Sequence, residues 1–186
     1  MYTFIVNPNA KTSLGYQVWS SLEAILKEKN VNYQVFFTKY QKHATRLAQK
    51  LTQESGAKTL IVLGGDGTIN EVINGIEDLD GTVLGYIPIG SSNDFARGMG
   101  LSTDPVQALK HILSPEHFTY INIGTAMYAG KTRRFAVSSG LGFDAGVCHQ
   151  VYVSKLKKLL NKLHLGKLSY AAVALQQILT MTPLKM

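Results

Sequence analysis

The stretch from Leu63 to Glu71 carries the strongest chemical signal in the sequence. It reads Leu-Gly-Gly-Asp-Gly-Thr-Ile-Asn-Glu, with three glycines around Asp66. Glycines let the backbone turn sharply and approach a ligand closely, and the free amides at a helix start attract phosphate. The spacing of Thr68 and Glu71 predicts a capping box, so we expect a helix to begin at Thr68. The stretch therefore predicts a phosphate-binding loop in which Asp66 orients Mg²⁺ or accepts a hydroxyl proton.

Two familiar phosphate-loop patterns do not describe this stretch. The Gly-Lys-Ser/Thr of a Walker A loop is missing, and Asn70 stands where the third glycine of a G-x-G-x-x-G loop would be. The alternative is an ordinary glycine-rich turn with a capping aspartate. Because Asp66 precedes the predicted cap at Thr68, that alternative leaves its carboxylate unexplained, and we favour the functional interpretation.

Three further polar segments follow predicted strands. They are Asn7 to Thr12, Thr38 with the lysines at 39 and 42, and the loop Gly90-Ser91-Ser92-Asn93-Asp94. Each has a plainer explanation as a turn or a helix cap, with Asn93 or Asp94 capping the helix that follows. Their shared position after strands favours one common binding site.

The elements that must position these loops alternate between strand and helix patterns. Apolar or β-branched runs predict strands at 2–6, 31–38, 59–63 and 82–88, and helical spacing predicts helices at 14–29, 43–54, 68–76, 94–99 and 104–113. This order predicts an α/β fold with a mostly parallel sheet and helices on both faces. Ligands bind beyond the carboxyl ends of the strands in such sheets, where the four polar loops lie.

The pattern changes near residue 120. Strand-like runs at 120–127 and 133–138 surround a short glycine-containing turn and predict a hairpin. Two helical patterns follow within 151–182. We therefore expect a nucleotide-binding domain over 1–120 and the start of a β-rich substrate domain, with a basic amphipathic helical tail, over 121–186.

Composition sets broad limits on the class of protein. The chain has 186 residues, of which 45% are hydrophobic and 17% charged, which excludes a disordered chain. A single cysteine excludes an intrachain disulfide. The formal net charge is +7, and residues 151–186 hold six lysines and no acid. Such a tail favours an anionic membrane surface or a solvated helix face over nucleic acid. With no signal peptide or membrane span predicted, we expect a cytoplasmic protein, peripheral to the inner membrane face.

The Gly-Gly-Asp-Gly-Thr stretch followed by Ile-Asn-Glu-Val-Ile-Asn-Gly-Ile resembles the diacylglycerol kinase catalytic domain family. That family includes bacterial lipid kinases and the sphingosine and ceramide kinases, and it is more distantly similar to NAD kinase and phosphofructokinase. Asn7-Pro8, Thr38, the loop from Gly90 to Phe95 and the Gly-Phe-Asp-Ala stretch ending at Ala145 match further parts of its pattern.

The resemblance implies ATP-dependent phosphorylation of a lipid hydroxyl, with diacylglycerol as the leading substrate. Asp66 and Asp94 would be the key catalytic carboxylates, and Mg²⁺ would bridge the phosphates near Asp66. The implied nucleotide-binding residues are Asn7, Pro8, Asn9, Ala10, Lys11, Thr38, Gly65, Asp66, Gly67, Thr68, Ile69, Asn70, Glu71 and Ser91.

The chain departs from the family pattern at several points. Lys11 replaces a glycine, Asn122 replaces an aspartate, and the part of the β-rich domain that supplies the proposed base and a structural metal site has no counterpart. We therefore expect this chain alone to be a poor kinase. The alternatives are a non-catalytic nucleotide-binding or membrane-associating module, or another kinase of the superfamily acting on NAD or a sugar lipid. The Asn70-Glu71 extension argues against an NAD kinase.

Overall fold

Four strands form a parallel sheet in the computed structural model of the chain, which describes residues 1–53 and 58–140 together with Ala145, Val147 and Leu175. The strands are β1 (Tyr2–Val6), β2 (Tyr33–Phe37), β3 (Lys58–Gly64) and β4 (Thr82–Pro88), in the order β2-β1-β3-β4. Their carboxyl ends are level, because Val6 lies beside both Phe37 and Leu63. This common edge is where the polar loops begin.

Helices cover both faces of the sheet. They are α1 (Ala10–Ser13), α2 (Gly15–Glu28), α3 (His43–Thr52), α4 (Asp66–Gly75), α5 (Asp94–Gly98) and α6 (Pro105–Leu113). Neighbouring side chains of β1 point to opposite faces. Phe4 packs in the core with Leu22 of α2, whereas Ile5 packs in a second core with Val72 of α4. The predicted α/β class with a parallel sheet is therefore confirmed.

An antiparallel hairpin follows the sheet. Strands β5 (Gly124–Tyr128) and β6 (Lys131–Phe135) are joined by Ala129 and Gly130, both of which have positive φ angles. Two such residues make the tight turn that suits the twist of a hairpin. The predicted hairpin is confirmed, and its second strand begins two residues earlier than expected.

The chain divides into two compact units, residues 1–137 and 138–186. The hairpin lies in the first unit. The domain boundary near residue 120 stays a prediction. The predicted helices of 151–182 lie outside the described residues apart from Leu175, as does the Gly-Phe-Asp-Ala stretch apart from Ala145. Among the described helices, none combines the length and the hydropathy needed to cross a bilayer.

Candidate functional site

A cavity of about 460 Å³ opens at the carboxyl edge of the sheet. Its walls come from the four loops that follow β1 to β4, as the sequence predicted. We call it the sheet-edge cavity. It is lined by Asn7, Asn9, Ala10, Lys11, Thr38, Lys39, Tyr40, Gln41, Gly65, Gly67, Thr68, Glu71, Gly90 and Ser91. Its volume lies in the usual range for small-ligand sites.

Two glycines let the loops after β3 and β4 lie directly against each other. A Cβ atom on Gly90 would stand 2.7 Å from the Cα of Gly65 and 2.8 Å from Oδ1 of Asn93. The Gly90 amide donates to that same Asn93 oxygen over 2.7 Å, which closes the second loop. The Ile89 amide donates to the Gly64 carbonyl over 2.9 Å. Glycine is therefore required at positions 65 and 90 because the backbones of the two loops approach each other there too closely for a side chain.

Asn7 ties the first loop to helix α4. Its Nδ2 donates to the Thr68 hydroxyl over 3.0 Å, and its Oδ1 accepts from the Asn9 amide over 3.0 Å. Its own amide donates to the Leu63 carbonyl over 2.9 Å. One side chain thus fixes the start of the loop and the first turn of the helix at the same wall of the cavity.

The predicted capping box at Thr68 and Glu71 is wrong. Helix α4 begins at Asp66 with Gly65 as its N-cap, and it has no side-chain cap hydrogen bond. The Thr68 hydroxyl instead accepts from Asn7, and the Thr68 side chain packs over Gly64. The helix therefore starts two residues earlier than expected, directly after the extended backbone of Gly65. The Thr68 amide donates to the Gly65 carbonyl over 2.9 Å, which closes the first turn. Gly65, Gly67 and Thr68 place this start of the helix at the cavity wall.

Asp66 links the two neighbouring loops, although it is not among the residues that line the cavity. Its Oδ1 accepts a hydrogen bond of 3.0 Å from the Phe95 amide, in the first turn of α5. Burial, and secondarily the negative charge of Asp66, raise the pKa of Tyr86, whose hydroxyl donates to the Gly64 carbonyl over 3.2 Å. Asp66 thus caps α5 from a different loop, whereas the capping alternative in the sequence concerned its own glycine-rich turn.

Asp94 lies on the outer side of α5. It forms an ion pair with Arg97, and both side chains are about half exposed. The plainer alternative for this loop was that Asn93 or Asp94 caps α5. Asn93 does hold the N-cap position, but its side chain accepts from the Gly90 amide, and the Phe95 amide donates to Asp66. The cap comes from the neighbouring loop, which lies against this one at Gly65 and Gly90.

The loop after β2 is organised by His43. Its Nδ1 accepts from the Lys39 amide over 3.1 Å, and its ring lies 4.6 Å from that of Tyr40. Arg46 donates to the Tyr40 hydroxyl over 3.1 Å. The Thr38 amide is held by the Val6 carbonyl at 2.8 Å. These contacts present Thr38 and the following three residues to the cavity.

The structure brings most of the predicted binding residues to one place. Ten of them line the cavity: Asn7, Asn9, Ala10, Lys11, Thr38, Gly65, Gly67, Thr68, Glu71 and Ser91. Pro8, Asp66, Ile69, Asn70 and Asp94 are not among the lining residues, and Ile69 is buried in the core. Sequence reasoning missed Tyr40 and Gln41, whose one signal was their position directly after a strand end. Lys39 and Gly90 lie in segments that it named, although it did not count them among the nucleotide-binding residues.

The donor set of the cavity suits a phosphorylated ligand. Hydroxyl and amide groups line it together with two lysines, Lys11 and Lys39, and one carboxylate, Glu71. Within the described residues, no three His, Cys, Asp or Glu side chains cluster into a metal site. Mg²⁺ is usually held by one or two carboxylates, water and the phosphates of a substrate. Glu71 is the one carboxylate among the described lining residues, and a lining of this kind suits Mg²⁺ only where phosphates supply most of the ligands.

Comparison with known proteins relates this geometry to a family. The sequence profile of the family described as "Diacylglycerol kinase catalytic domain" matches residues 1–126. The Bacillus subtilis protein named "Putative lipid kinase YtlR" is 34% identical over 186 residues, which cover 97% of this chain and 60% of that protein. A diacylglycerol kinase of Staphylococcus aureus is 37% identical over 142 residues, covering 75% of this chain and 43% of that enzyme.

A solved structure agrees with the sequence matches. The crystal structure of a diacylglycerol kinase from Bacillus anthracis superposes with a TM-score of 0.58 at 28% identity, covering 70% of this chain and 44% of that one. The chain thus spans 60% or less of the length of these relatives. The profile match covers more than half of the chain and includes every loop of the sheet-edge cavity, so the protein belongs to the diacylglycerol kinase catalytic domain family.

Proposed function

We propose that the sheet-edge cavity binds the phosphates of ATP with Mg²⁺. The observation that carries this proposal is the meeting of four strand-end loops around the glycine-rich start of α4. The first-turn amides of a helix, together with its positive dipole end, favour phosphate. Lys11 and Lys39 add positive charge to the same walls.

We further propose that the whole protein transfers the γ-phosphoryl group to a lipid hydroxyl. The names of the relatives support a lipid acceptor, and diacylglycerol is the leading one. In this arrangement the described lining residues would hold the phosphates, and Glu71, the one carboxylate among them, would hold Mg²⁺. The bound ion would neutralise charge that builds up on the phosphates during transfer.

A second candidate is a nucleotide-binding module that does not itself transfer phosphate. The placement of the two predicted catalytic carboxylates favours it. Asp66 is engaged by the Phe95 amide and Asp94 by Arg97, and neither lines the cavity. In the described part of the chain, the cavity walls therefore supply phosphate-binding groups and the single carboxylate of Glu71.

Isothermal titration calorimetry with ATP·Mg²⁺ tests the binding proposal. Gly67→Val places a branched side chain in the cavity, and a Cβ at Gly67 meets nothing within 4 Å in the folded protein. We expect affinity to fall at least about tenfold, a cost of about 1.4 kcal/mol. Gly98→Val is the matched control, because Gly98 also has open space around it and lies outside the cavity. Equal affinity in the two variants would exclude this site.

The metal role of Glu71 has a separate test. Its charge repels a free triphosphate but favours one that carries Mg²⁺. Glu71→Gln is therefore expected to reduce the preference for ATP·Mg²⁺ over ATP with EDTA. An unchanged ratio of the two affinities would remove Glu71 from the metal site while leaving nucleotide binding intact.

A phosphoryl-transfer assay decides between the two candidate functions. Radiolabelled ATP is offered with diacylglycerol in mixed micelles, with a sugar lipid and with NAD, to this chain and to one extended to the length of the relatives. We expect diacylglycerol to be labelled by the extended chain and poorly by this one, because holding the acceptor and taking its proton contribute many powers of ten to rate. Binding without labelling in either chain would favour the non-catalytic module.

Membrane association is a further part of this proposal. It is supported by the six lysines of residues 151–186 and the absence of acids among them. Sedimentation with vesicles is expected to show binding to phosphatidylserine-containing membranes that weakens at high salt. Equal binding to neutral vesicles would rule out an electrostatic origin.

A further inference from the structure

The carboxyl end of helix α4 is joined to the hairpin by an asparagine side chain. Oδ1 of Asn74 accepts from the Arg134 amide over 2.9 Å, and its Nδ2 donates to the Arg134 carbonyl over 2.8 Å. The same Nδ2 donates to the Asn70 carbonyl over 2.8 Å, within the helix. Both backbone groups of one β6 residue are thus paired with one carboxamide, as they would be with a neighbouring strand.

The side chain of Arg134 completes this junction. Its Nη1 donates to the carbonyls of Ile73 and Ile76, over 3.1 and 2.6 Å. The last carbonyls of a helix have no partners within it, and a cation is favourable at that end. Because the guanidinium and the paired backbone belong to one residue, β6 has one register against the helix. A shift of the strand along the helix would break every bond of the junction.

The two ends of α4 therefore meet different parts of the molecule. The helix has 10 residues and is about 15 Å long. Its first turn forms a wall of the sheet-edge cavity, and its last turn holds the hairpin. A helix this short moves as one rigid body, so a change in the orientation of its last turn also moves its first turn.

We propose that Asn74 and Arg134 are positioning residues that couple the hairpin β5–β6 to the nucleotide site through α4. This inference rests on the proposed binding of ATP·Mg²⁺ at the first turn of the helix. A phosphoryl acceptor held by the β-rich region must stay in line with the nucleotide. Among the described residues, this junction joins the hairpin to the helix that begins at the cavity. A local opening of the structure that detaches the hairpin from α4 then also disturbs the phosphate site at the other end of the helix.

Amide hydrogen exchange with and without ATP·Mg²⁺ tests the coupling. The free nucleotide concentration is set to ten times the dissociation constant of each variant. Amides that exchange only through openings that release the nucleotide should then exchange about 11 times more slowly. In the unaltered chain we expect this slowing both at residues 65–72 and at residues 124–135. Arg134→Met is expected to keep it at 65–72 and lose it at 124–135.

Arg133→Met is the matched control. It removes the same charge one residue away, and Arg133 is exposed. In this control, nucleotide should slow amide exchange in the hairpin as much as in the unaltered chain. Arg134→Lys retains a donor and should recover most of that slowing. If Arg134→Met fails to fold, Asn74→Ala removes the carboxamide pairing and should likewise uncouple the hairpin.

Two results would overturn the proposal. One is an unaltered chain in which nucleotide slows amide exchange at residues 65–72 but leaves the exchange of the hairpin amides unchanged. The other is equal hairpin slowing in the unaltered chain and in Arg134→Met or, if that variant does not fold, Asn74→Ala. Faster exchange without nucleotide would show only that the junction stabilises the hairpin. Absence of protection at 65–72 in the unaltered chain would instead refute nucleotide binding there, and the coupling with it.

Discussion

Gly90→Ala tests whether contact between the loops after β3 and β4 shapes the cavity. The added methyl group would lie 2.7 Å from the Gly65 Cα and 2.8 Å from Oδ1 of Asn93. The first neighbour is backbone and belongs to the start of α4, so the side chain cannot be accommodated by a rotamer change. The second neighbour is the acceptor of the Gly90 amide, so moving it strains the bond that closes the loop.

The expected cost follows from these contacts. Overpacking against a fixed neighbour costs about 1–3 kcal/mol, and a weakened hydrogen bond costs about 1 kcal/mol. Replacing glycine by alanine also lowers the conformational entropy of the unfolded chain, which raises the free energy of unfolding by about 0.4–1 kcal/mol. We expect the free energy of unfolding to fall by about 2 kcal/mol, which lowers the melting temperature by about 4–8 °C for a chain of this size.

Urea unfolding measures this change directly. The single tryptophan, Trp19, is 2% exposed in the core and reports unfolding by fluorescence. Gly98→Ala is the control, because its methyl group meets nothing within 4 Å and lies in the neighbouring helix. That variant should be as stable as the unaltered chain or slightly more so. A Gly90→Ala protein with unchanged stability would show that the loops do not touch as described.

Three other changes have defined outcomes. Asn7→Ala removes the bond to Thr68 and should lower the free energy of unfolding by about 1 kcal/mol in urea. Gly75→Ala places a Cβ 2.1 Å from the Thr45 carbonyl, so α3 and α4 must separate, and calorimetry should show a loss of at least about 1–3 kcal/mol. Burial raises the pKa of Tyr86, so the folded state holds that proton more tightly; stability is retained below about pH 10 and falls above it. Tyr86→Phe should reduce this alkaline decline in urea midpoints.

Each of these has its own control. Asn9→Ala changes a neighbouring asparagine that bonds to Asn7 through its backbone amide and not through its side chain. This control should therefore leave the free energy of unfolding nearly unchanged. Gly98→Ala serves again for Gly75→Ala. Tyr128→Phe alters a tyrosine that is 64% exposed and should not change the alkaline decline. Variants indistinguishable from their controls would contradict the contacts assigned here.

The sheet and its helices were predictable because their signals are local. Apolar runs such as Thr59–Leu63 need both faces covered, and the periodic leucines of α2 need one buried side. Strand ends then fixed where the polar loops meet, which is why ten predicted binding residues line one cavity. Element bounds moved by one or two residues, as for β2, which begins at Tyr33 rather than at residue 31.

The hydrogen bonds that arrange the site were not predictable by the same rules. Capping patterns compare residues three or four apart. Here Asp66 bonds to an amide 29 residues away, Asn7 to a hydroxyl 61 residues away, and Asn74 to a strand 60 residues away. Such partners become neighbours only through the topology of the sheet. A carboxylate that looked unexplained in the sequence, Asp66, thereby acquired a structural partner.

This distribution of bonds separates the residues that shape the site from those that face the ligand. The glycines set the approach of the backbone, and Asn7, Asp66 and Asn74 hold loops and helix ends in place. In the described part of the chain, the groups left facing the cavity are mainly amides, hydroxyls and two lysines. Those groups bind phosphate well but are poor acceptors of a hydroxyl proton at neutral pH. Glu71 is the one carboxylate among the described lining residues, so the described cavity offers phosphate-binding groups and little that could act as a base in the proposed transfer.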